Sequence, residues 1–571
     1  MIIKAAKLLI SFILIFSPYT SFSQTLYGVW TDLDGSSVNP GISGENQKDK
    51  RYPRMAIDQK DQPHIIWQHG ANAMDGFKGE LMYRYWNKEL GKWDTYGDAD
   101  KEGGFTQSDD HVSGSESAIA IDSKGYPHVI YGGSDESIYY HYLYYRFWDG
   151  GKWTSYGGAD QIIEPSVLTP NDIALDYLAA FYLDENDYPW IAVTVSTGVI
   201  FVFWDGEKWR GYGDSYTYEG IDTSPYSSLE GGSLVKQLTE FNGFPMILCV
   251  SKGAETYSYL LPTIIYWDGI VWQKYDTDEL SFWARKLLFD SQFRIHALGN
   301  KGQGSIPGDP ACYALYENGE WKTLGPNGIA IQYTRDINVS SYPDLAIDKN
   351  DNPHIVYSAN SSIGEMRYTF WDGERWSGRE WSQSIDGIHD SSGENSLYGY
   401  NQVIKLDSLN QPSIVYSRSN YQKLILYEYC NLSQKQSDLT VGLFFDKSNY
   451  ESEDNLTLSI GLTNPSTGCD VNLFLALQNF RTNEYWFFPD WTSEIQSVPL
   501  RIPSDFNLPL THILKFDIPC ENPPLSYNVE DDWNNQYKFI LAVFDRANIN
   551  LLDMKSNSFL IWHPEHSDPM D

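Results

Sequence analysis

The chain has 571 residues, of which 15% are aromatic, and 76 acidic residues against 41 basic ones give a formal charge of −35. A hydrophobic fraction of 42% is enough for a packed core and excludes wholesale disorder. The acid excess argues against nucleic acid and against an electrostatic membrane anchor, because both partners are anionic. Five Cys in so long a chain exclude a scaffold built on disulfides.

Residues 1–23 have the pattern of an export signal. Two lysines precede an apolar run from Leu8 to Phe16, and small residues follow up to Ser23. The run is too short to span a bilayer, and no later segment is long and apolar enough. We therefore expect cleavage near Gln24, which removes two lysines and leaves a charge of −37. We expect a bacterial protein that is secreted, periplasmic or at the cell surface, with no membrane span.

A repeat of roughly 60 residues follows the signal. Its first half is an apolar run, a turn of the form Asp-x-x-x-x-Pro and a second apolar run. The clear copies begin at Ala56, Ala120 and Ala346, and weaker copies lie at 182–190, 243–248, 289–296 and 406–413. Its second half is an aromatic run ending in Trp-Asp-Gly-x-x-Trp, as in 145–153, 203–209, 266–272 and 370–376, and loosely in 316–321. Both halves predict tight hairpins, so one period predicts four antiparallel strands, A to D.

Four-stranded units repeated around an axis predict a β-propeller. Seven A–B hairpins are visible, but only six complete C–D halves. The segment from Gly28 to Thr31 matches the fourth strand from Gly151 to Thr154, so the N-terminus is expected to complete the last blade. A ring closed in this way has no open sheet edge. We predict an all-β fold with a seven-bladed propeller at residues 24–434.

After residue 434 the repeat stops and alternating strands follow at sandwich-like spacing. The segments 446–450, 464–465, 472–477 and 488–493 resemble a recurring C-terminal Ig-like β-sandwich module of secreted bacterial proteins. The resemblance implies an accessory, non-catalytic domain at 435–562, followed by a tail at 563–571. Cys469 and Cys520 could pair inside this module, whereas Cys249, Cys312 and Cys430 are expected to fill cores as thiols. The sequence leaves the pairing open.

The propeller architecture resembles the sialidase-like superfamily of BNR-repeat proteins, with one departure. The turn sequence is Trp-Asp-Gly-x-x-Trp and not the Ser-x-Asp-x-Gly-x-Thr-Trp of the sialidase Asp-box, and a sialidase-like Arg501-Ile-Pro503 falls in the C-terminal region. No nucleophile-elbow, zinc-protease or phosphate-loop motif is present. The segments 348–352 and 184–187 imitate calcium loops but lack the twelve-residue pattern, so they predict turns. We expect no cofactor and no metal ligands, with a structural calcium ion as the open alternative.

Candidate site residues follow from the face on which the repeat places them. His64, His128 and His354 occupy one repeat position beside the A–B turns, which favours a structural role. The opposite face, built from D–A and B–C loops, is where propellers usually bind ligands. It is expected to carry His69, His111, His141, His389, Tyr139, Tyr140, Tyr142 and Glu116. The repeat alignment also places Arg54, Lys236, Lys286 and Asp344 at one position of strand A, facing the channel. These groups could bind a carboxylate or sulfate, or could form ion pairs between blades.

Three functions remain open at this stage. The first is a monomeric, non-catalytic module that binds a glycan or protein at the cell surface through aromatic and charged loops. The second is a polysaccharide-active enzyme, because the plan resembles the propeller lyases of uronic-acid polymers. The candidates for its catalytic groups are His69, His111, His141, Tyr140 and Arg54. Under either function, the candidates for ligand contacts are Tyr139, Tyr142, Glu116, Lys236, Lys286 and His389. A glycosidase would need two facing carboxylates, such as Glu116 and Glu394. The third is an assembly role at the cell surface, with the sandwich as the docking end.

Overall fold

We analysed the protein as a computed structural model. It describes residues 29–36, 41–44, 50–70, 79–101, 104–106, 111–134, 141–158, 180–195, 198–215, 221, 234–252, 259–300, 311–324, 343–359, 365–371, 373, 376–377, 399–418, 424–431, 440–445, 449–451, 455–464, 469–479, 484–487, 493–495, 497–502, 506–517, 535–545 and 551–562. The expected export signal, the C-terminal tail and Cys520 lie outside these residues. Within the described ranges, no helix has the length and apolar character needed to cross a membrane.

Seven four-stranded antiparallel sheets form the propeller, each with strands A to D in chain order. Blade 1 comprises β2 (Lys50–Ile57), β3 (Pro63–His69), β4 (Glu80–Asn87) and β5 (Lys92–Asp94). Blade 2 comprises β6 (His111–Ile121), β7 (Pro127–Ser134), β8 (His141–Trp148) and β9 (Trp153–Thr154), followed by a 3-10 turn at Tyr156–Gly158. Blade 3 comprises β10 (Ala180–Leu183), β11 (Pro189–Val195), β12 (Gly198–Trp204) and β13 (Trp209–Arg210).

The remaining blades follow the same plan. Blade 4 comprises β14 (Leu234–Phe241), β15 (Phe244–Lys252), β16 (Tyr259–Trp267) and β17 (Trp272–Asp276). Blade 5 comprises β18 (Trp283–Phe289), β19 (Ile295–Asn300), β20 (Ala311–Glu317) and β21 (Glu320–Lys322). Blade 6 comprises β22 (Asp344–Ile347), β23 (Pro353–Ala359), β24 (Glu365–Trp371) and β25 (Trp376–Ser377). Blade 7 comprises β26 (Gly399–Leu406), β27 (Pro412–Arg418), β28 (Leu424–Asn431) and the N-terminal β1 (Val29–Thr31).

The ring closes as the repeat predicts. Strand β1 pairs antiparallel with β28, so that Val29 lies opposite Asn431 and Thr31 opposite Tyr429. The A strands of successive blades contact one another all the way round, including β26 with β2. Because blade 7 contains strands from both ends of the propeller sequence, it has four strands like the other six blades. The seven-bladed, all-β prediction is confirmed.

Asp residues organise the A–B turns. In blade 1, Asp58 Oδ1 accepts hydrogen bonds from the backbone N–H groups of Lys60 and Gln62, at 2.9 and 2.7 Å. The same bonds recur at Asp122, Asp184, Asp290, Asp348 and Asp407. The two segments that imitate calcium loops, 184–187 and 348–352, are therefore turns closed by their own carboxylates.

Between blades, the same turns are linked by a second Asp. Asp61 has a left-handed backbone (φ 58°) and accepts bonds from Ser408 N and Oγ, both at 2.7 Å, which joins blade 1 to blade 7. Equivalent links join Asp187 to Ser123 and Asp351 to Ser291. On the outer side, indole N–H groups of D-strand Trp residues donate to the preceding blade, as Trp153 does to the Tyr96 carbonyl at 3.1 Å. Much of the aromatic content is thus spent on packing blades together.

The C-terminal region forms two further sheets. One contains β29 (Thr440–Phe445), β31 (Asn455–Asn464) and β35 (Phe506–Asp517). The other contains β30 (Asn449–Glu451), β32 (Cys469–Asn479), β33 (Glu484–Phe487), β34 (Val498–Ile502), β36 (Asn535–Asp545) and β37 (Leu551–Trp562). The Ig-like assignment and the domain boundaries stay predictions. In the propeller, Cys249 and Cys430 are buried thiols and Cys312 is a half-buried thiol, as expected.

Candidate functional site

Strand pairing fixes which inner-strand residues are equivalent around the channel. Arg54, Lys286 and Asp344 occupy one position, because they lie opposite Ile66, Leu298 and Val356, each three residues beyond the first residue of strand B. Lys236 does not share it, and this part of the predicted alignment is wrong. In blade 4 Gln237 takes the position, opposite Leu248, and Lys236 forms a β-bulge. A bulge adds one residue to a strand, and sequence alignment without pairing cannot detect it. Arg285 is the bulge residue of blade 5.

Side chains at this position tie neighbouring blades together. The Arg54 guanidinium donates from Nε to the Ser117 carbonyl oxygen of blade 2 at 3.0 Å. Gln237 Oε1 accepts from the Phe289 N–H of blade 5 at 2.6 Å, and Asp344 Oδ2 accepts from the Ile404 N–H of blade 7 at 2.9 Å. Lys286 Nζ forms an ion pair with Asp344 Oδ1 at 3.0 Å, joining blades 5 and 6. The inter-blade role therefore holds for these residues, and it fixes their place in the channel wall.

Further cationic side chains of the inner strands lie within electrostatic reach of the Lys286–Asp344 pair. Lys236, Arg285 and Lys286 lie close enough together that the latter two lower the pKa of Lys236. Lys405, on the inner strand of blade 7, is within the electrostatic influence of both Lys286 and Asp344. Arg54 also interacts with Asp344, whose carboxylate opposes the effect of burial on the pKa of the guanidinium. Arg54, Lys286 and Lys405 thus interact with the Asp344 carboxylate, and Lys236 and Arg285 carry positive charge beside Lys286.

Crowding and burial make protonation of these lysines unfavourable. Burial is the main cause that lowers the pKa of Lys236, to about 7, and the positive charges of Arg285 and Lys286 add to it. Lys405 is exposed to water, yet the surrounding protein lowers its pKa, and Lys286 lowers it further while Asp344 opposes the shift. A bound anion would reverse both effects, since it would stabilise the protonated amines.

Three further residues on the inner strands were missed by the sequence analysis. Tyr52 and Asn401 lie in matching bulges of blades 1 and 7, and both have a left-handed backbone, with φ of 52° and 55°. That conformation is strained for Tyr. Gln402, next to Asn401, is 3% exposed, and neither amide atom has a hydrogen-bond partner. Its position is Pro53 in blade 1 and Pro343 in blade 6, so an amide there is the departure from the repeat that could have found it.

The predicted histidines that the structure describes lie at strand ends in blades 1 and 2. His111, the first residue of β6, pairs with Ser134, which in turn pairs with His141, the first residue of β8. His111 and Glu116 were expected on a loop between blades 1 and 2, but both belong to β6, which begins at His111 and whose bulge includes Glu116. β6 pairs with β7 as far as Ser134, so the strand extends beyond the apolar run that marks it in the sequence. Tyr142, also in β8, pairs with Gly133.

Blade 1 has a rung of ionisable residues at the corresponding end. His69 lies between Lys50 and Glu80 in the pairing of β2, β3 and β4. His69 and Lys50 are buried, and Lys50 Nζ donates to the Gly44 carbonyl oxygen at 2.8 Å. Burial lowers the pKa of Lys50 to about 8. Glu80 has one buried carboxylate oxygen, Oε2, without a hydrogen-bond partner.

The histidines beside the A–B turns have a structural role. In blade 1, His64 Nδ1 lies 2.8 Å from the Tyr83 hydroxyl and Nε2 lies 3.5 Å from Asp58 Oδ2. The same Asp–His–Tyr arrangement recurs at His128, His296 and His354. All four histidines are buried. His296 is a fourth member that the sequence analysis did not place in the set, because its blade has lost the proline of the repeat.

The other predicted residues cannot be placed in the site. Tyr139, Tyr140 and His389 lie outside the described residues. Among the residues that the structure describes, no three His, Cys, Asp or Glu side chains come together as a metal site. The described part of the candidate site is therefore the cationic channel wall. The strand ends that carry the histidines in blades 1 and 2 lie on the face of the propeller where the A strands begin.

These features define a seven-bladed β-propeller with a cationic channel wall. No protein-family model and no curated protein sequence matches this chain. Solved structures with a similar fold include a protein of unknown function from Dyadobacter fermentans, at 10% identity and a TM-score of 0.34, covering 68% of this chain and 95% of that one. An α-L-arabinanase from Penicillium chrysogenum has 11% identity and a TM-score of 0.33, covering 72% and 99%. The NanB sialidase from Streptococcus pneumoniae has 10% identity and a TM-score of 0.33, covering 68% and 69%.

Proposed function

We propose that this protein binds an anionic glycan, whose carboxylate or sulfate groups are held by the cations of the channel wall. The observation that carries the proposal is a group of cationic side chains on the inner strands. Arg54, Lys286 and Lys405 interact with Asp344, and Lys236 and Arg285 lie within electrostatic reach of Lys286. In a chain of charge −35, such a grouping opposes the general character of the surface. A local cluster of charge opposite in sign to the net charge is typical of a site that attracts a charged ligand.

The unsatisfied capacity of the wall supports the same proposal. Lys286 already shares its charge with Asp344 at 3.0 Å, whereas the lowered pKa of Lys236 reflects burial and repulsion by two cations. An anion within about 4 Å of an ammonium group gains roughly 1–4 kcal/mol, depending on how much water remains between the charges. Uncharged polar groups lie beside these cations, namely the Gln402 amide, which has no hydrogen-bond partner in its buried position, and the hydroxyl of Tyr52. Such groups suit a ligand that has hydroxyls beside its charges.

The binding test compares polymers that differ in charge. Polygalacturonate and dextran sulfate are titrated into the full-length protein by calorimetry, with dextran as the neutral polymer. We expect binding of at least one polyanion, weakening as salt is added because salt screens the attraction. Lys236→Met and Lys286→Met should each weaken it several-fold. Lys208→Met is the matched control, because Lys208 is exposed on the outer turn of blade 3. Equal effects of all three variants would reject a specific channel site.

A second candidate function is β-elimination of a uronic-acid polymer. The pairing of His111 with Ser134 and of Ser134 with His141, beside the rung of Lys50, His69 and Glu80, supports it. Imidazole and carboxylate groups are general bases of the kind that could take the C5 proton, and a cation such as Arg54 could stabilise the carboxylate of the uronate. The burial of His69 weighs against its direct contact with a polymer.

The lyase is tested by the ultraviolet absorbance of the unsaturated product. Full-length protein is incubated with a panel of uronate polymers, and His141→Ala is the diagnostic variant, with His354→Ala as the control for structural damage. Product formation that His141→Ala abolishes at unchanged stability would favour the enzyme over the binding module. Binding without product across the panel would leave the binding function alone.

We also propose export of the protein as a monomer. The apolar run before Ser23 supports removal of a signal peptide near Gln24. The test is N-terminal sequencing of the protein expressed with its full leader, together with sedimentation of the mature form. An intact N-terminus in the cytoplasm, or a stable dimer, would overturn this proposal.

A further inference from the structure

A pocket lies between blades 4 and 5, beside the A–B and C–D turns and away from the channel wall. Its volume is about 360 Å³, which is in the lower part of the range of roughly 300–1,000 Å³ found for small-molecule sites. The lining residues are Ile264, Gln292, Phe293, Arg294, Ile295, Tyr316, Glu317 and Asn318. The lining therefore combines two aromatic rings with amide, guanidinium and carboxylate groups.

Phe293 is the residue that departs from the repeat. It has a left-handed backbone (φ 58°) at the turn position where blades 1, 3 and 6 have Asp61, Asp187 and Asp351. Those Asp residues link their turns to the preceding blade through Ser. A bulky aromatic side chain is disfavoured in this conformation, which Asn, Asp and Gly adopt much more readily. Strained residues of this kind tend to cluster at binding sites.

Contact with the neighbouring blade does not bury Phe293. Its ring meets Phe241 of blade 4 edge to face, with 5.0 Å between the centroids. This contact replaces the Asp–Ser link of other junctions. Even so, Phe293 is 42% exposed and Phe241 is 38% exposed. Tyr275, whose hydroxyl lies 3.2 Å from that of Tyr316, is 50% exposed. Aromatic surface therefore remains open to water around the pocket.

The charges in the pocket do not favour an anion. Arg294 contacts three carboxylates, with Nε 2.6 Å from Asp290, a terminal nitrogen 3.0 Å from Glu317 and the other 3.7 Å from Asp351. Lys322 also pairs with Glu317, at 3.2 Å. Three carboxylates thus surround two cations, which is the reverse of the channel wall. A ligand for this pocket should be uncharged and rich in hydroxyl groups. Arg294 and Glu317 can donate and accept further hydrogen bonds to hydroxyls while their ion pairs stay intact.

We propose that this pocket binds a neutral saccharide, with the Phe293 ring against the C–H face of a pyranose and with Arg294, Glu317 and Asn318 bonded to its hydroxyls. An aromatic ring offers a flat apolar surface that matches the C–H face of a sugar, and the adjacent polar groups select hydroxyl positions. The site is independent of the anionic ligand proposed for the channel. One protein would then contact a polysaccharide at two places, through its charged and its neutral units.

The test uses saturation-transfer NMR and calorimetry on the full-length protein. The probes are the methyl glycosides of glucose, galactose, mannose and xylose, with glucuronate as the charged counterpart. We expect at least one neutral glycoside to bind, and glucuronate to bind more weakly here. Phe293→Asn should reduce the affinity at least tenfold while keeping the melting temperature, because Asn tolerates the left-handed turn. Tyr316→Phe should have a smaller effect.

Two controls separate this site from the channel and from a protein contact. Lys236→Met should leave neutral glycoside binding unchanged, even where it abolishes polyanion binding. Leu409→Asn removes another exposed apolar group, 68% exposed at the blade 7 turn, and should also have no effect. The proposal is overturned if no neutral glycoside binds, or if Phe293→Asn leaves binding intact. It is also overturned if Phe293→Asn abolishes self-association in sedimentation and not sugar binding, since the patch would then be a contact between copies of this chain.

Discussion

Replacing Lys236 with Met should make the free protein more stable while weakening its binding of anions. The pKa of Lys236 is lowered from 10.5 to about 7 by burial and by Arg285 and Lys286. A folded-state pKa below the unfolded one means that protonation of this amine opposes folding. Met keeps most of the apolar stem of the side chain but carries no charge. The same charge that destabilises the empty channel is the one we assign to anion binding.

The size and pH range of this effect follow from the two pKa values. A difference of this extent corresponds to at most about 5 kcal/mol. Because the side chain is only half-buried and water in the channel screens its charge, we expect about 1–3 kcal/mol. The cost is fully present below about pH 7, falls as the pH rises, and is absent above about pH 10.5. The Met variant should therefore gain most in stability at acid and neutral pH.

Urea unfolding followed by tryptophan fluorescence measures the difference. At about pH 6 the Met variant should unfold at a higher urea concentration than wild type, and by about pH 9 the gap should be clearly smaller. Polyanion binding should take up protons between these values, which calorimetry in buffers of different ionisation enthalpy detects. Equal midpoints at both pH values, together with no proton uptake on binding, would refute the assignment of Lys236 to a cationic channel.

Two more predictions concern the scaffold. Trp30→Ala should lower the free energy of unfolding by about 2–4 kcal/mol, because the indole of the closing strand packs edge to face on Tyr368 with 5.2 Å between centroids. The control is Trp86→Ala, on the outer edge of blade 1. Equal melting temperatures of the two variants would contradict the closure role. In the A–B turn of blade 1, burial would raise the pKa of Asp58, but hydrogen bonds from His64 and Gln62 lower it to about 2. This carboxylate should therefore contribute about 2 kcal/mol above about pH 4, lost as the pH falls through about 2. Asp58→Asn should remove that pH dependence, and an unchanged acid-unfolding profile would contradict it.

The repeat explains why so much of the propeller could be predicted. Every blade needs the same turns and the same hairpin aromatics, so the pattern recurs along the chain. The fourth strand of blade 7, which is missing after residue 431, could therefore be found around Trp30. His64, His128 and His354 were assigned a structural role because they recur, and their contacts with Tyr83, Tyr145 and Tyr368 agree with it. Repetition carries information about packing that one sequence can reveal without any relatives.

The candidate site could be predicted only in part, because it consists of departures from the repeat. Arg54 and Lys286 were found, since they occupy a repeat position that can be counted back from the Asp of the A–B turn. Lys236 was assigned to the wrong register, and Gln402 and Tyr52 were missed, because a β-bulge shifts the strand by a residue and leaves no mark in the pattern. The pocket at Phe293 was missed because the turn of its blade has lost the repeat proline and was therefore aligned only loosely.

The seven blades, the closing strand, the Asp-ordered turns and the packing role of the recurrent histidines could all be read from the amino-acid pattern. These depend on interactions between residues that are close in the chain or that repeat with its period. The assembled ring was needed to show that Lys286 and Lys405 interact with Asp344 and that Lys236 lies near Lys286. It was also needed to show that Phe293 borders a pocket with Glu317. Those residues belong to different strands or blades, and their meeting depends on how a ring brings its inner strands and turns together.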